Sequence, residues 1–266
     1  MPFIAAGGLA VHYDLSGPAG APVVMLANSL GTNFHVWDPQ ASALAARFRV
    51  LRYDKRGHGL TELPAPTDAP PDIDRYADDA IALMDALGIA QVNFCGLSIG
   101  GMIGQRLAAK APSRVSSLVL CDTANRIGPP TLWDDRVAAV RRGGMAVIVE
   151  GVLARWFTDA FRERAQATAR GFAVMLARTP VEAYAAACLA IRDADLAADG
   201  PRIACPTLVV VGDQDRATPP EAAAALRDSI AGARLVVIEQ AAHIPTIERP
   251  EELNRTLLSF LGSVAR

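Results

Sequence analysis

The sequence is poor in the residues that build disulfides and metal sites. Its 266 residues include four histidines and only four cysteines, Cys95, Cys121, Cys188 and Cys205, which form no C-x-x-C pair. Widely spaced cysteines, two of them inside apolar runs, are typical of reduced and buried side chains. We therefore expect neither a disulfide nor a metal centre.

Positive charge and long apolar runs are also scarce. Lys and Arg number 26 against 28 Asp and Glu, for a net charge of -2, so the basic excess typical of nucleic-acid-binding proteins is missing. No apolar run approaches the roughly 20 residues of a membrane-spanning helix, and the start, MPFIAAGGLAVHYD, lacks the pattern of a secretory signal. We expect a cytoplasmic globular protein that binds neither nucleic acid nor membranes; its oligomeric state stays open.

Short apolar runs rich in β-branched residues alternate with stretches of helical period. Most of the runs are continuously apolar, which is typical of strands covered on both faces. The predicted strands are 23–27, 49–54, 92–96, 115–122, 207–213 and 235–239, and the predicted helices between them are 76–87, 98–110, 220–230 and 251–261. This order predicts an α/β fold with a mostly parallel central sheet flanked by helices.

One segment late in the chain interrupts the alternation. From about 131 to 198 the sequence shows amphipathic helical spacing and no convincing strand, and proline and glycine mark both ends. We interpret 126–199 as an all-helical insertion into a core formed by 1–125 and 200–266. Because open α/β sheets bind ligands at the carboxyl ends of their strands, the insertion is either a cap over such a site or a set of additional core helices.

The stretch GLSIGG, residues 96–101, lies between an apolar run and a helical pattern. A G-x-S-x-G pattern alone is a weak signal, since glycine and serine are common. Between a strand and a helix, however, it is typical of the nucleophile elbow, in which flanking glycines permit a strained turn at a helix N-terminus. Ser98 is therefore a candidate nucleophile, and the alternative is a structural serine in a turn.

A serine nucleophile needs a base, which is almost always histidine. The elbow fold has the chain order serine, acid, histidine, and of His12, His35, His58 and His243 only His243 follows Ser98. His243 lies in QAAHIPTIERP, just beyond the last predicted strand. It is the candidate base; His58 fits a glycine turn and His35 a helix start.

The acid that orients the histidine has three candidates at strand ends. Asp213 and Asp215 both lie in VVVGDQDRATPP, and Asp122 ends an earlier strand. We favour Asp215 because it lies farther into its loop and can reach His243. Asp213 fits a role in the turn, and Asp122 remains the third alternative.

Acyl transfer also needs hydrogen-bond donors for the oxyanion of the tetrahedral intermediate. The elbow fold supplies the backbone N–H of the residue after the nucleophile, here Ile99, and a second N–H from the loop after an earlier strand. That loop is ANSLGTNFHVW, and Leu30 is the candidate within it. The alternative is an ordinary glycine loop.

The motifs GLSIGG, VVVGDQDRATPP and QAAHIPTIERPE, in this order and with DKRGHGLT after a strand, resemble those of the α/β-hydrolases. Together with ANSLGTNFHVWDPQ, DTANRIGPPTLWDDR and HIPTIERPEELN, they resemble more narrowly the 3-oxoadipate enol-lactonases. The resemblance implies an α/β-hydrolase fold, Ser98, Asp215 and His243 as catalytic triad, and the amides of Leu30 and Ile99 as oxyanion donors. It implies no metal or organic cofactor.

The resemblance also implies the reaction, which is hydrolysis of a small enol-lactone to 3-oxoadipate in the degradation of aromatic compounds. Related enzymes of the same fold include broader esterases, perhydrolases and carbon–carbon bond hydrolases, and a hydrolase-fold ligand receptor is a further alternative. The fold does not separate them, since function depends on the site.

A lactone with an acetate arm would bring a carboxylate into the pocket, where arginine is the usual partner. The segment NRIGPPTLWDDR joins the sheet to the helical insertion. Within it we expect Trp133 to wall the pocket, with an N–H that could donate, and Arg126 to bind the carboxylate. Arg136, one helical turn after Trp133, is the second candidate.

Overall fold

The computed structural model describes residues 2–65 and 70–264, which contain an eight-stranded sheet and eleven α-helices. The strands are β1 (Phe3–Ala6), β2 (Leu9–Ser16), β3 (Val23–Ala27), β4 (Arg49–Tyr53), β5 (Val92–Leu97), β6 (Val115–Cys121), β7 (Thr207–Gly212) and β8 (Arg234–Ile238). The helices are α1 (Asp38–Leu44), α2 (Ile73–Ala86), α3 (Ile99–Lys110), α4 (Pro130–Gly143), α5 (Val149–Trp156), α6 (Asp159–Arg164), α7 (Gln166–Ala177), α8 (Val181–Asp193), α9 (Pro220–Ser229), α10 (Pro245–Glu248) and α11 (Pro250–Val264).

The sheet has the spatial order β1-β2-β4-β3-β5-β6-β7-β8. The pairs β1–β2 and β2–β4 are antiparallel, and every later pair is parallel. The predicted α/β class is therefore confirmed, with all six predicted strands present. The strands β1 and β2 were not predicted, because their residues mix exposed and buried positions and form no continuous apolar run.

The core lies along the central strands. Every residue of β5 and of β7 is buried, and because successive side chains of a strand point to opposite faces, both faces of the sheet must be covered. On one part of the sheet α3 packs against β3, β5 and β6, and α2 packs against α3. The helix α2 begins earlier than predicted, because the side chain of Asp72 accepts a hydrogen bond from the N–H of Arg75 and caps its N-terminus.

Between β6 and β7 the chain forms α4–α8 in succession. The helices α4 and α8 pack on each other, and an aromatic cluster of Trp156, Phe157, Phe161 and Phe172 joins the others, with ring centroids 4.9 to 6.2 Å apart. This agrees with the prediction that 131–198 is helical, because no strand lies there among the described residues. The division into core and cap at 126 and 199 stays an interpretation.

No single helix of the described chain is long and apolar enough to cross a membrane. The pair α7 and α8 reaches that length and hydropathy only when taken together, and the chain bends by 92° between them.

The parallel part of the sheet positions the site. Because parallel strands end at the same edge, the loops after β3, β5, β6, β7 and β8 meet there. These loops carry the sequence-predicted residues Leu30, Ser98, Asp122, Asp215 and His243.

Candidate active site

Ser98 lies in the one-residue turn between β5 and α3, with a backbone φ of +58°. A Cβ atom on Gly96 would lie 2.1 Å from the carbonyl oxygen of Gly100, and a Cβ on Gly100 would lie 2.3 Å from that of Ala27. Both positions therefore exclude side chains, and the two glycines let the strand pass directly into the helix. Ser98 lies at the wall of a cavity at this point.

The side chains of His243 and Asp215 meet at the same cavity. The His243 Nδ1 atom lies 2.8 Å from Asp215 Oδ2, and both residues are buried. Asp215 also accepts hydrogen bonds from the Thr218 hydroxyl at 2.6 Å and from the Ala217 N–H at 2.7 Å. These contacts fix the carboxylate in one orientation toward the imidazole ring.

The charge of Asp215 determines which nitrogen of the His243 ring carries the proton. Burial alone would raise the pKa of Asp215, but the attraction of His243 and the hydrogen bonds from His243, Thr218 and Ala217 outweigh burial and place the pKa below its ordinary value. An ionised carboxylate only accepts hydrogen bonds, so Nδ1 must donate to it. In the neutral ring Nε2 is then free to accept a proton.

Asp122 follows β6 and lies behind this pair. Its Oδ1 accepts the N–H of Gly212 at 2.9 Å, while its buried Oδ2 has no hydrogen-bond partner in the described part of the chain. Burial raises the pKa of Asp122 well above its ordinary value, and the neighbouring Asp215 adds to the effect. Burial and the charge of Asp215 thus disfavour the ionised form of Asp122, and Asp215 is the carboxylate that contacts His243.

Asp213, the other candidate acid, is exposed and accepts the N–H of Ala241 at 3.1 Å. This hydrogen bond joins the turn after β7 to the loop after β8. It makes no hydrogen bond to His243 among the described contacts.

Asp122, Asp215 and His243 are also the one group of described residues whose ligand atoms lie close enough together, within 4.8 Å, to share a metal ion. A metal bound through His243 Nδ1 would need that nitrogen without its proton. That nitrogen instead donates to Asp215, so the hydrogen bonds of the three side chains fit a proton-transfer group better than a metal centre.

The other three histidines lie away from the cavity. His12 pairs with Asp54 at 2.7 Å, His35 is exposed and pairs with Asp38 at 3.0 Å, and His58 is buried against the carbonyl of Arg56. Of the four histidines, only His243 lines the cavity with Ser98.

The cavity has a volume of about 230 Å³ and lies between the sheet edge and α4, α5 and α8. Its lining includes Ser29, Leu30, Ser98, His243, Ile127, Leu132, Trp133, Trp156, Tyr184, Arg136, Arg155 and Arg216. Of the two predicted oxyanion donors, Leu30 lines the cavity and Ile99 directly follows the lining residue Ser98. Leu30 lies in the loop after β3, and no acceptor in the described chain takes its N–H; Ile99 is the first residue of α3.

The hypothesis that Arg126 binds a substrate carboxylate needs correction. The structure places its side chain outside the cavity, 61% exposed, in an ion pair with Asp195. The reason is geometric: Arg126 precedes α4 and points to solvent, whereas Arg136 lies two turns into that helix and faces the cavity. Trp133 does wall the cavity, but its N–H donates to the Ile127 carbonyl at 2.6 Å and is not free for a ligand.

Two further cations at the cavity were missed in the sequence. Arg155 lies on α5, and no sequence signal distinguishes it from other helix arginines. Arg216 directly follows the candidate acid Asp215, and this adjacency could have identified it.

The chain matches known proteins over nearly its whole length. The family described as alpha/beta hydrolase fold matches residues 22–250. The chain is 35% identical to 3-oxoadipate enol-lactonase 2 of Acinetobacter baylyi, over 96% of this chain and 94% of that protein. It is 29% identical to the putative carbamate hydrolase RutD of Agrobacterium fabrum, over 94% of this chain and 98% of that one. A solved structure described as the enol-lactonase from Burkholderia xenovorans has a TM-score of 0.95 at 42% identity, with 98% of this chain and 100% of that chain covered. The chain therefore belongs to the α/β-hydrolase fold family.

Proposed function

We propose that the protein hydrolyses 3-oxoadipate enol-lactone, a lactone with a carboxylate arm, through a covalent intermediate on Ser98. The similarity to enol-lactonases supports the reaction class. Two arginines, Arg136 and Arg155, favour an anionic substrate. They lie in the cavity that Ser98 and His243 line, and this observation carries the proposal.

These two arginines have no acidic partner in the described chain. The neighbouring Arg141 and Arg192 form ion pairs with Glu182 and Asp134, but no such pair involves Arg136 or Arg155. Burial and then the charge of Arg136 lower the pKa of Arg155, so the two cations repel each other. A ligand carboxylate between them would relieve this repulsion and gain charge-assisted hydrogen bonds.

In the first half of the proposed reaction, Ser98 Oγ attacks the lactone carbonyl while His243 Nε2 takes its proton. Asp215 stabilises the imidazolium that forms. The Leu30 and Ile99 amides donate to the oxyanion. The ring C–O bond then breaks, the leaving oxygen takes the proton from His243, and the enol tautomerises to a ketone.

In the second half, His243 activates a water that attacks the acyl group on Ser98. The C–O bond to Ser98 breaks, His243 returns a proton to Ser98 Oγ, and the product leaves as 3-oxoadipate. No step needs a metal or an organic cofactor.

A panel of substrates tests this proposal. The enol-lactone should be turned over with a kcat/KM about ten- to a hundredfold above that of the same lactone with its arm methylated, because one charge-assisted hydrogen bond contributes about 1.5 to 3 kcal/mol. Aryl acetates, a carbamate and a carbon–carbon bond substrate complete the panel. Equal or higher activity on the neutral compounds would favour a broader esterase, and no turnover of any member would favour a receptor.

A further inference from the structure

Lys55, in the DKRGHG segment after β4, is a buried lysine behind the loop that carries Leu30. Only 2% of the residue is exposed. Its Nζ atom lies 2.6 Å from the carbonyl oxygen of Ser29. The reaction proposed above makes no use of this side chain.

The Ser29 carbonyl oxygen accepts three hydrogen bonds. Besides Lys55 Nζ, it accepts the Thr32 hydroxyl at 3.0 Å and the Thr32 N–H at 3.3 Å. The Ser29 carbonyl and the Leu30 N–H belong to the same peptide group, which is planar and trans. In such a group the C=O and the N–H point in opposite directions, so donors that fix the oxygen also fix the direction of the N–H.

We propose that Lys55 is a positioning residue of the oxyanion hole: its hydrogen bond to the Ser29 carbonyl aims the Leu30 N–H into the cavity and strengthens it as a donor. The proposal rests on the proposed function, in which the Leu30 amide stabilises the tetrahedral intermediate. Lys55 itself touches neither substrate nor Ser98.

Two physical effects support this role. Donors aimed before the reaction do not have to reorient when charge develops, and this is the main source of oxyanion stabilisation in enzymes. A donor on the carbonyl oxygen also polarises the peptide, so the N–H at its other end becomes a stronger donor, an effect that is larger in a low-dielectric interior.

The contact does not depend on the charge of the amine. Burial lowers the pKa of Lys55, and Asp54 opposes this effect. Both the ammonium and the neutral amine carry N–H groups, so either form can donate to Ser29.

The test compares Lys55→Met with Arg56→Met. The first variant keeps the length and apolar stem of the lysine but removes the donor. The second removes a buried cation from the adjacent residue, where it pairs with Asp79 at 2.6 Å and does not contact Ser29. Each variant is measured for kcat and KM on an aryl acetate, for the rate of fluorophosphonate labelling of Ser98, and for affinity toward two inhibitors.

One inhibitor is a trifluoromethyl ketone, which forms a tetrahedral oxyanion with a serine, and the other is 3-oxoadipate, which forms none. Losing an oxyanion donor outright costs about a hundred- to a thousandfold in kcat, so weakening one should cost about ten- to a hundredfold. For Lys55→Met we expect that loss in kcat, a similar loss in ketone affinity and in labelling rate, and KM and 3-oxoadipate affinity within about twofold of wild type. Arg56→Met should leave the ratio of ketone to 3-oxoadipate affinity unchanged.

Thr32 provides a second test if Lys55→Met does not fold. Thr32→Val removes one of the three donors to Ser29, and Thr32→Ser keeps that hydroxyl as the matched control. Thr32→Val should lose several-fold in ketone affinity, while Thr32→Ser should not.

Folded Lys55→Met protein with unchanged kcat and ketone affinity would overturn the proposal, as would equal losses for both inhibitors. If Lys55→Met does not fold, equal ketone affinity of Thr32→Val and Thr32→Ser would overturn it. Wild-type protein that is not labelled at Ser98 would instead refute the proposed function, so the two failures are distinguishable.

Discussion

Replacing Arg136 by alanine should remove much of the preference for substrates that carry a carboxylate. Arg136 lines the cavity from α4, and its guanidinium lies 5.1 Å from the centre of the Trp133 ring. The stacking restricts the guanidinium to one side of the cavity. An alanine there would leave Trp133 in place and remove only the cation.

The expected loss follows from the contacts available to the anion. One charge-assisted hydrogen bond contributes about 1.5 to 3 kcal/mol, which corresponds to about a ten- to hundredfold change in kcat/KM. Arg155 remains in the cavity, and without Arg136 beside it its pKa is no longer lowered by that charge. We therefore expect the loss in kcat/KM to lie at the lower end of this range for Arg136→Ala and at the upper end for the double variant with Arg155→Ala.

The assay measures kcat/KM for the enol-lactone and for a neutral aryl acetate in parallel. Arg126→Ala is the matched control, because Arg126 lies in an exposed ion pair outside the cavity and such pairs contribute little to stability. The expected result is a selective loss on the lactone for Arg136→Ala and no change for Arg126→Ala. Equal losses of Arg136→Ala on both substrates, or a loss for Arg126→Ala, would refute the assignment of the anion site.

Three further predictions concern Ser98, Asp215 and Asp122. Ser98→Ala should fold normally, lose several orders of magnitude in kcat and escape fluorophosphonate labelling; near-wild-type turnover would exclude the serine mechanism. Asp215→Asn should reduce kcat far more than Asp122→Asn, because only Asp215 contacts His243; the reverse order would make Asp122 the acid. Since the folded state raises the pKa of Asp122, its contribution to stability is present below the unfolded pKa of about 4 and is lost as the pH rises toward the folded pKa. Urea unfolding of Asp122→Asn should therefore show a smaller loss of stability with rising pH than wild type; an unchanged slope would contradict the raised pKa.

The central parallel strands could be predicted from sequence because a strand that is buried on both faces has apolar residues at nearly every position. Every position of β5 and β7 is buried, and the sequence shows this as nearly continuous apolar runs. The strand β2, which pairs with β1 and β4, has four partly exposed residues at its end, so polar side chains interrupt its apolar pattern. Its place in the sheet follows from its antiparallel pairing with β1 and β4, which a short stretch of sequence does not show.

The sequence alone could not predict which arginines face the cavity. Arg126 is nearer to the sheet edge along the chain, yet Arg136 and Arg155 face the cavity. Which side of α4 and α5 faces Ser98 depends on how α4 packs on α8 and how α5 packs on α7. Amphipathic spacing identifies the buried side of a helix but not what that side is buried against.

Which of Asp122 and Asp215 is the better candidate acid depends on the hydrogen bonds that each carboxyl group receives, because the residue type is the same. Both are aspartates at the ends of neighbouring strands, and their carboxyl groups lie close to His243. Asp215 receives hydrogen bonds from Thr218, from the backbone and from the imidazole, and these stabilise its negative charge. Asp122 receives one backbone N–H, which does not offset its burial. Two like charges at this distance disfavour each other, so the negative charge is favoured on Asp215, the carboxylate with more hydrogen-bond donors. The position in the loop allowed the sequence to rank Asp215 above Asp122. The number of hydrogen-bond donors around each carboxyl group explains why negative charge is favoured on Asp215.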